Sequence, residues 1–100
     1  MIDLPRIEGF EWDEGNYRKS VDKHDVRQAE AEQVSFNEPL LIVEDAEHSN
    51  RESRFHALGR TDLGRLLHIS FTLRSAGRLI RIISARTMGR KERLRYEQEA

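Results

Sequence analysis

The sequence predicts an α+β domain: a mostly antiparallel sheet of four to six strands, with two helices ahead of it and one behind. Three observations carry that prediction. Leu67, Ile69, Phe71 and Leu73 alternate with His68, Ser70, Thr72 and Arg74, the period of two that sets apolar side chains on one face of a strand. Ser75-Ala76-Gly77 then offers a hairpin turn before a second apolar run, Leu79 to Arg86. Ahead of both, residues 14–34 have helical composition, and Asn37-Glu38-Pro39 interrupts it.

Taken in order, residues 8–12 read as a short strand, and Asp13 is placed to cap a helix from Glu14 to about Lys23. A second helix is expected from Val26 to about Val34. Leu40 to Val43 is an apolar run of strand length, followed by a polar connection from Glu44 to Arg51. The stretch from Arg54 to Thr61 suits a strand ending at Gly59, and Asp62-Leu63-Gly64 signals a turn. The strands at 67–74 and 79–86 follow. In a regular strand Ile80, Ile82, Ser84 and Arg86 share one face, and Leu79, Arg81, Ile83 and Ala85 the other. Thr87 is an N-cap candidate for a charged helix from Met88 to Glu99. The expected order is β-α-α-β-β-β-β-α.

The 100 residues suit a single domain, 1–100, with one modest core. The absence of cysteine excludes a disulfide framework and a thiolate metal cage, and the start Met1 to Phe10 lacks the form of a signal peptide. A cytoplasmic location is the expectation. The apolar stretches are too short to span a bilayer, so no membrane association is expected. The net charge of −1 conceals an asymmetry: residues 1–50 hold 5 Lys/Arg against 13 Asp/Glu, and residues 51–100 hold 12 against 5. Either the halves pair within the fold, or arginine-rich strands form a polyanion-binding face. The second half favours arginine over lysine, and the guanidinium fork suits phosphate.

Arg54, Arg74, Arg81 and Arg86 fall on predicted strands, where a guanidinium needs carboxylate partners or a wet, anion-accepting cleft. Lys23-His24, at the end of the first helix, forms an acid–base pair or merely complements the negative end of the helix dipole. Trp12 and Tyr96 offer rings for stacking on a base, or for closing the core. His48 lies near Glu44, Asp45 and Glu47, but with no recognised metal spacing. No phosphate-binding glycine loop, GxGxxG turn or GxSxG elbow is present, which argues against nucleotide-dependent chemistry and gives no reason to expect a cofactor.

Together these residues resemble the BrnT family of bacterial toxins. The resemblance rests on Phe10 through Asn16, Lys23-His24, Phe36 through Pro39, Glu47-His48-Ser49 with Glu52 and Arg54, and Gly59-Arg60. It continues through Phe71 to Arg74, Ile80 to Arg86, and Glu92-Arg93 with Tyr96, spanning roughly residues 10 to 97. Two positions depart from the family: Asp25 replaces a glycine after Lys-His, and Ser20 replaces an asparagine four residues before His24. The resemblance implies a RelE-like fold and a toxin that cleaves RNA without a metal. It also implies a BrnA-like antitoxin carrying a ribbon-helix-helix part, through which alone DNA would be contacted. On this reading Lys23, His24, Arg74 and Arg86 are the catalytic candidates, and Arg54, Arg81 and Tyr96 contact RNA. Arg81 and Arg86 would share a phosphate only if the last strand twists or bulges.

Two other classes compete. Asp25 and Ser20 keep open an inactive toxin relative that acts as a binding module in an autoregulatory repressor complex. A sequence-specific DNA-binding domain is disfavoured by the acidic first half and the lack of an evident recognition helix.

Overall fold

The computed structural model describes residues 6–13, 15, 24–45, 47 and 53–99. Seven elements follow in order: β1 (Gly9–Trp12), α1 (Gln28–Val34), β2 (Leu41–Asp45), β3 (Arg54–Arg60), β4 (Leu66–Arg74), β5 (Leu79–Thr87) and α2 (Arg90–Glu99). The strands form one sheet in the order β1-β5-β4-β3-β2. Five strands fall within the expected range, but the sheet is mixed. β2 to β5 pair antiparallel, while β1 lies parallel to β5, with Phe10 across from Ile80 and Trp12 across from Ile82. Hairpin logic links only neighbours in sequence, and β1 reaches β5 from the far end of the chain.

The described residues contain two helices. The first expected helix, Glu14 to Lys23, lies outside them except for Gly15. Of the second, Val26 and Arg27 precede the helical turns; the Arg27 N–H donates to Glu30 Oε1 at 3.2 Å, satisfying an end donor that the helix leaves open. The last helix starts at Arg90 rather than Met88. Gly89 stands where Thr87 was expected: its N–H donates to Glu92 Oε1 at 2.8 Å, and its carbonyl accepts from Arg93 N–H. Thr87 is instead the final residue of β5.

Residues directly across neighbouring strands share a face. One face of the sheet carries Ile80, Ile82, Ala85, Leu67, Ile69, Phe71 and Ala57, packed under Val26, Ala31 and Val34. This is the main core, and α1 covers it. Gly59 faces it too: a Cβ there would lie 2.6 Å from Val34 Cγ1 and 3.3 Å from Leu40 Cδ1. The missing side chain sets how closely the end of α1 approaches β3. On the other face Leu58 and Met88 pack with Tyr96 of α2 in a smaller cluster.

β5 is not regular. Ser70 pairs with Ser84, but Phe71 pairs with Ile82, so Ile83 is an extra residue between them. Such a bulge reverses the alternation on one side of it. Ile80 and Ile82 before the bulge and Ala85 after it therefore all enter the core, while Arg81, Ser84 and Arg86 fall together on the opposite face. The regular-strand expectation put Arg81 and Arg86 on opposite faces; the bulge brings them to one.

Gly59→Ala is expected to destabilise the fold by about 1–3 kcal/mol, since backbone or Val34 must shift to admit the methyl. Urea unfolding followed by circular dichroism measures this, and a loss below about 0.5 kcal/mol would mean that the α1 end yields freely.

Candidate active site

The face opposite the core is polar, and its layout follows from the register. His68, Ser70, Thr72 and Arg74 of β4 lie across from Leu58, His56 and Arg54 of β3 on one side, and from Arg86, Ser84, Arg81 and Leu79 of β5 on the other. Although β4 alternates apolar and polar as expected, its polar side chains are covered as well: His68, Ser70 and Thr72 are all buried. α2 closes one end of this face, tied down by the Tyr96 hydroxyl, which donates to the Pro39 carbonyl at 2.6 Å. Burial raises the Tyr96 pKa. Of the two roles weighed for Tyr96, this geometry is that of a core-closing residue.

Where α2 meets the sheet, a cleft of about 480 Å³ opens between β2, β3, β4, the end of β5 and the first two turns of the helix. Val43 and Leu58 supply its apolar wall, His56 and His68 its floor, and Arg86, Lys91, Glu92 and Arg95 its charged rim. Three cations thus surround one carboxylate. The two imidazoles stack, with centroids 4.9 Å apart and planes inclined by 25°. His56 is fixed at both nitrogens: Nε2 lies 2.7 Å from Asp45 Oδ2, and Nδ1 lies 3.0 Å from Ser70 Oγ. His68 is held by packing. Its Nε2 lies 3.7 Å from Glu92 Oε2, and its Nδ1 is buried with no hydrogen-bond partner among the described residues. Burial is the main force pushing the His68 pKa down to about 4; Glu92 opposes it, and the charges of Arg86 and His56 add to it.

Arg86 and Glu92 pair at the rim of the cleft. Nη1 donates to Oε1 at 2.7 Å and Nη2 to Oε2 at 2.9 Å, a fork-to-fork pair. Burial alone would raise the Glu92 pKa, but hydrogen bonds from Arg86 and the Gly89 N–H outweigh it and hold the carboxyl below its ordinary value. The carboxylate therefore stays charged and the neighbouring imidazole neutral near pH 7.

The other anticipated residues are dispersed. Arg74 shares the face of Arg86, but its cross-strand partner is Leu79 at the hairpin, whereas Arg86 lies opposite His68. Six residue steps along β4 separate the two positions, roughly 20 Å at about 3.3 Å per step, so they cannot hold the same phosphate. Arg81 is engaged by β1, donating to Glu11 at 3.3 Å and Asp13 at 3.1 Å. Half-buried Arg54 sits across from Asp45 and Thr72 at the end of β3. Lys23, with Ser20, His48 and Glu52, lies outside the described residues. His24 is half-buried, close in sequence to core residue Val26 on the α1 side of the sheet. Asp25 beside it has φ 53°, the left-handed conformation that glycine adopts most readily, and its carbonyl accepts from Arg65 Nη1 at 2.7 Å.

Sequence reasoning missed His56, His68 and Asp45. His56 and His68 are twelve residues apart on different strands, and only the β3–β4 register stacks them. Two polar-face histidines flanking a turn were the available signal. Glu92 was noted within a motif but given no role, because a spacing of six across a strand–helix junction has no fixed geometry. Among the described residues no group of three or more ligating side chains is placed to hold a metal, and no helix is long and apolar enough to cross a membrane.

The sequence model of a family described as "Ribonuclease toxin, BrnT, of type II toxin-antitoxin system" matches residues 12–92. The chain belongs to this family. Among solved structures it is similar to the 1.1 Å crystal structure of the Brucella abortus ribonuclease toxin BrnT, with a TM-score of 0.62 and 17% identity, covering 82% of this chain and 97% of that one. At that identity the likeness concerns the fold. No curated protein matches the sequence. As a BrnT-family toxin of a type II system, the chain has an antitoxin for a partner.

The depressed His68 pKa makes the fold acid-sensitive. A group whose folded pKa lies below its unfolded value of 6.5 contributes its full stability above that value and loses it as the pH falls toward about 4. Glu92, also lowered, acts in the same direction at the acid end. Urea unfolding near pH 7 and near pH 4.5 is expected to differ by up to about 3 kcal/mol from His68, and His68→Gln should remove most of the difference. An unchanged slope in that variant would place the acid sensitivity elsewhere.

Proposed function

We propose that this BrnT-family toxin is a metal-independent endoribonuclease, that the cleft around Arg86 is its active site, and that the 2′-hydroxyl of RNA attacks the adjacent phosphate there. The observation that supports this most directly is the concentration of three cations, one carboxylate and two imidazoles at one end of the polar face. Phosphoryl transfer to a neighbouring hydroxyl needs groups that move protons and cations around a crowded phosphorus, and this cleft offers both. Arg86, one of the two arginines among the catalytic candidates of the sequence, is the phosphate-stabilising cation. Arg74 and Arg54, at the other end of the same face, are suited to contact flanking phosphates. Lys23 and His24 remain candidates for proton transfer, although the segment leading from His24 enters the core on the α1 side.

The partner in this reading is a BrnA-like antitoxin whose ribbon-helix-helix part makes any DNA contact. An acidic or apolar segment of it laid over the cleft would exclude RNA and satisfy the arginine donors. One observation favours the other reading, a catalytically inactive module in an autoregulatory complex: the fork of Arg86 is already filled by Glu92.

Purified protein incubated with RNA in excess EDTA separates these readings, with the ends mapped. Cleavage leaving 2′,3′-cyclic phosphate and 5′-hydroxyl ends is expected, and intact RNA would favour the inactive module. Arg86→Ala is expected to slow cleavage by roughly a hundredfold to a thousandfold while the protein stays folded, and Arg86→Lys to restore little, since it keeps the charge but loses the fork. Wild-type growth arrest by folded Arg86→Ala would remove Arg86 from the site. Co-expression with the neighbouring reading frame is expected to yield a co-purifying complex that restores growth; failure of any partner in the source genome to do so would overturn the antitoxin assignment.

A further inference from the structure

The contact between Arg86 and Glu92 has the form of an occupied anion site. Two oxygens of one planar anion meet the two terminal nitrogens of a guanidinium, and a third donor, the Gly89 N–H at the start of α2, points at one of them. A phosphodiester offers its two non-bridging oxygens in the same arrangement. Lys91 and Arg95 line the same cleft, so a second anion entering it meets a surplus of positive charge. The Glu92 side chain is 26% exposed and unbranched, which leaves it a path out toward solvent.

Resting on the ribonuclease reading above, we propose that Glu92 is an internal stand-in for the substrate. The scissile phosphodiester of RNA displaces it from Arg86, and the released carboxylate then takes the proton of the 2′-hydroxyl. In that step the bond from the 2′-oxygen to phosphorus forms and the bond from phosphorus to the 5′-oxygen breaks. The 2′-hydroxyl proton passes to Glu92, and the departing 5′-oxygen takes a proton from the ammonium of Lys91. The products are a 2′,3′-cyclic phosphate and a 5′-hydroxyl. His68 contributes by being uncharged: a neutral ring 3.7 Å from the carboxylate shields it from water without adding a second cation to hold it in place. Asp45 and Ser70 hold His56, and the stacked pair of rings forms a rigid floor beneath the exchange.

The test pairs binding with turnover. Glu92→Gln is expected to bind a 2′-O-methyl RNA oligonucleotide, which cannot be cut, about fivefold more tightly by fluorescence anisotropy, since its competitor for Arg86 has lost its charge. The same variant is expected to cut unmodified RNA at least about a hundredfold more slowly in EDTA, because the proton acceptor is gone. Glu97→Gln removes the same charge from an exposed position of the same helix, outside the lining of the cleft, and is expected to change neither quantity. Tighter binding without slower cutting, or slower cutting without tighter binding, overturns the proposal, as does an equal effect of Glu97→Gln. Should Glu92→Gln fail to fold by circular dichroism, Glu92→Asp carries the same test: the shorter carboxylate loses part of its grip on Arg86 and its reach to the 2′-hydroxyl. Wild-type protein that leaves RNA uncut defeats the ribonuclease reading itself, whereas wild-type cutting alongside an equally active Glu92→Gln defeats only the role of Glu92.

Discussion

Everything on the polar face depends on one extra residue. Without Ile83 bulging from β5, the alternation that buries Ile80 and Ile82 would carry Arg86 into the core beneath α1, where a guanidinium without a carboxylate is prohibitively costly. With it, the strand serves two needs that a regular strand cannot meet together. Its first half feeds the core at even positions and its second half at odd ones. Arg86 emerges opposite His68, and within a few residues the chain turns into α2, whose first turn delivers Glu92. The bulge thus determines where the cleft lies and which cation stands in it.

The charge asymmetry between the halves of the sequence resolves into two uses. Part of it is internal pairing: Arg81 joins β5 to Glu11 and Asp13, and Arg65 ties the loop before β4 to Glu30 and to the carbonyl of Asp25. These contacts link the arginine-rich half to the acidic one. The rest gathers at α2, where Arg86, Lys91 and Arg95 outnumber the carboxylate facing them. The two readings of the composition describe different arginines of the same sheet.

Much of the fold was legible because its signals are local. The alternation in β4, the turn at Ser75 to Gly77 and the break after Val34 each need only a few consecutive residues, and each falls where expected. The family resemblance was legible too, carried by motifs spread along the chain. What escaped depends on long-range register. The partner of β1 lies at the far end of the sequence, and the bulge hides in the run Ile82-Ile83-Ser84-Ala85, where apolar neighbours disguise which residue is supernumerary. The site was legible in its arginine and not in its histidines, because a guanidinium on a strand demands explanation wherever it is, whereas a histidine acquires meaning only from what the sheet places beside it.

The parallel seam between β1 and β5 bears on how the chain assembles. β2 to β5 are joined strand to strand by connections local in sequence, whereas Glu11 and Arg81, which face each other across the seam, stand 70 residues apart. Closing so long a loop costs more entropy than closing a hairpin, so the pairing of β1 rests on contacts that the other strands do not share. The only tryptophan of the chain sits on that edge, its indole N–H donating to Glu32 of α1 at 3.0 Å. Its intrinsic fluorescence therefore reports the fastening of this strand to the helix beside it, whereas the aromatic stack of Phe55 and Phe71 lies between β3 and β4, away from the seam.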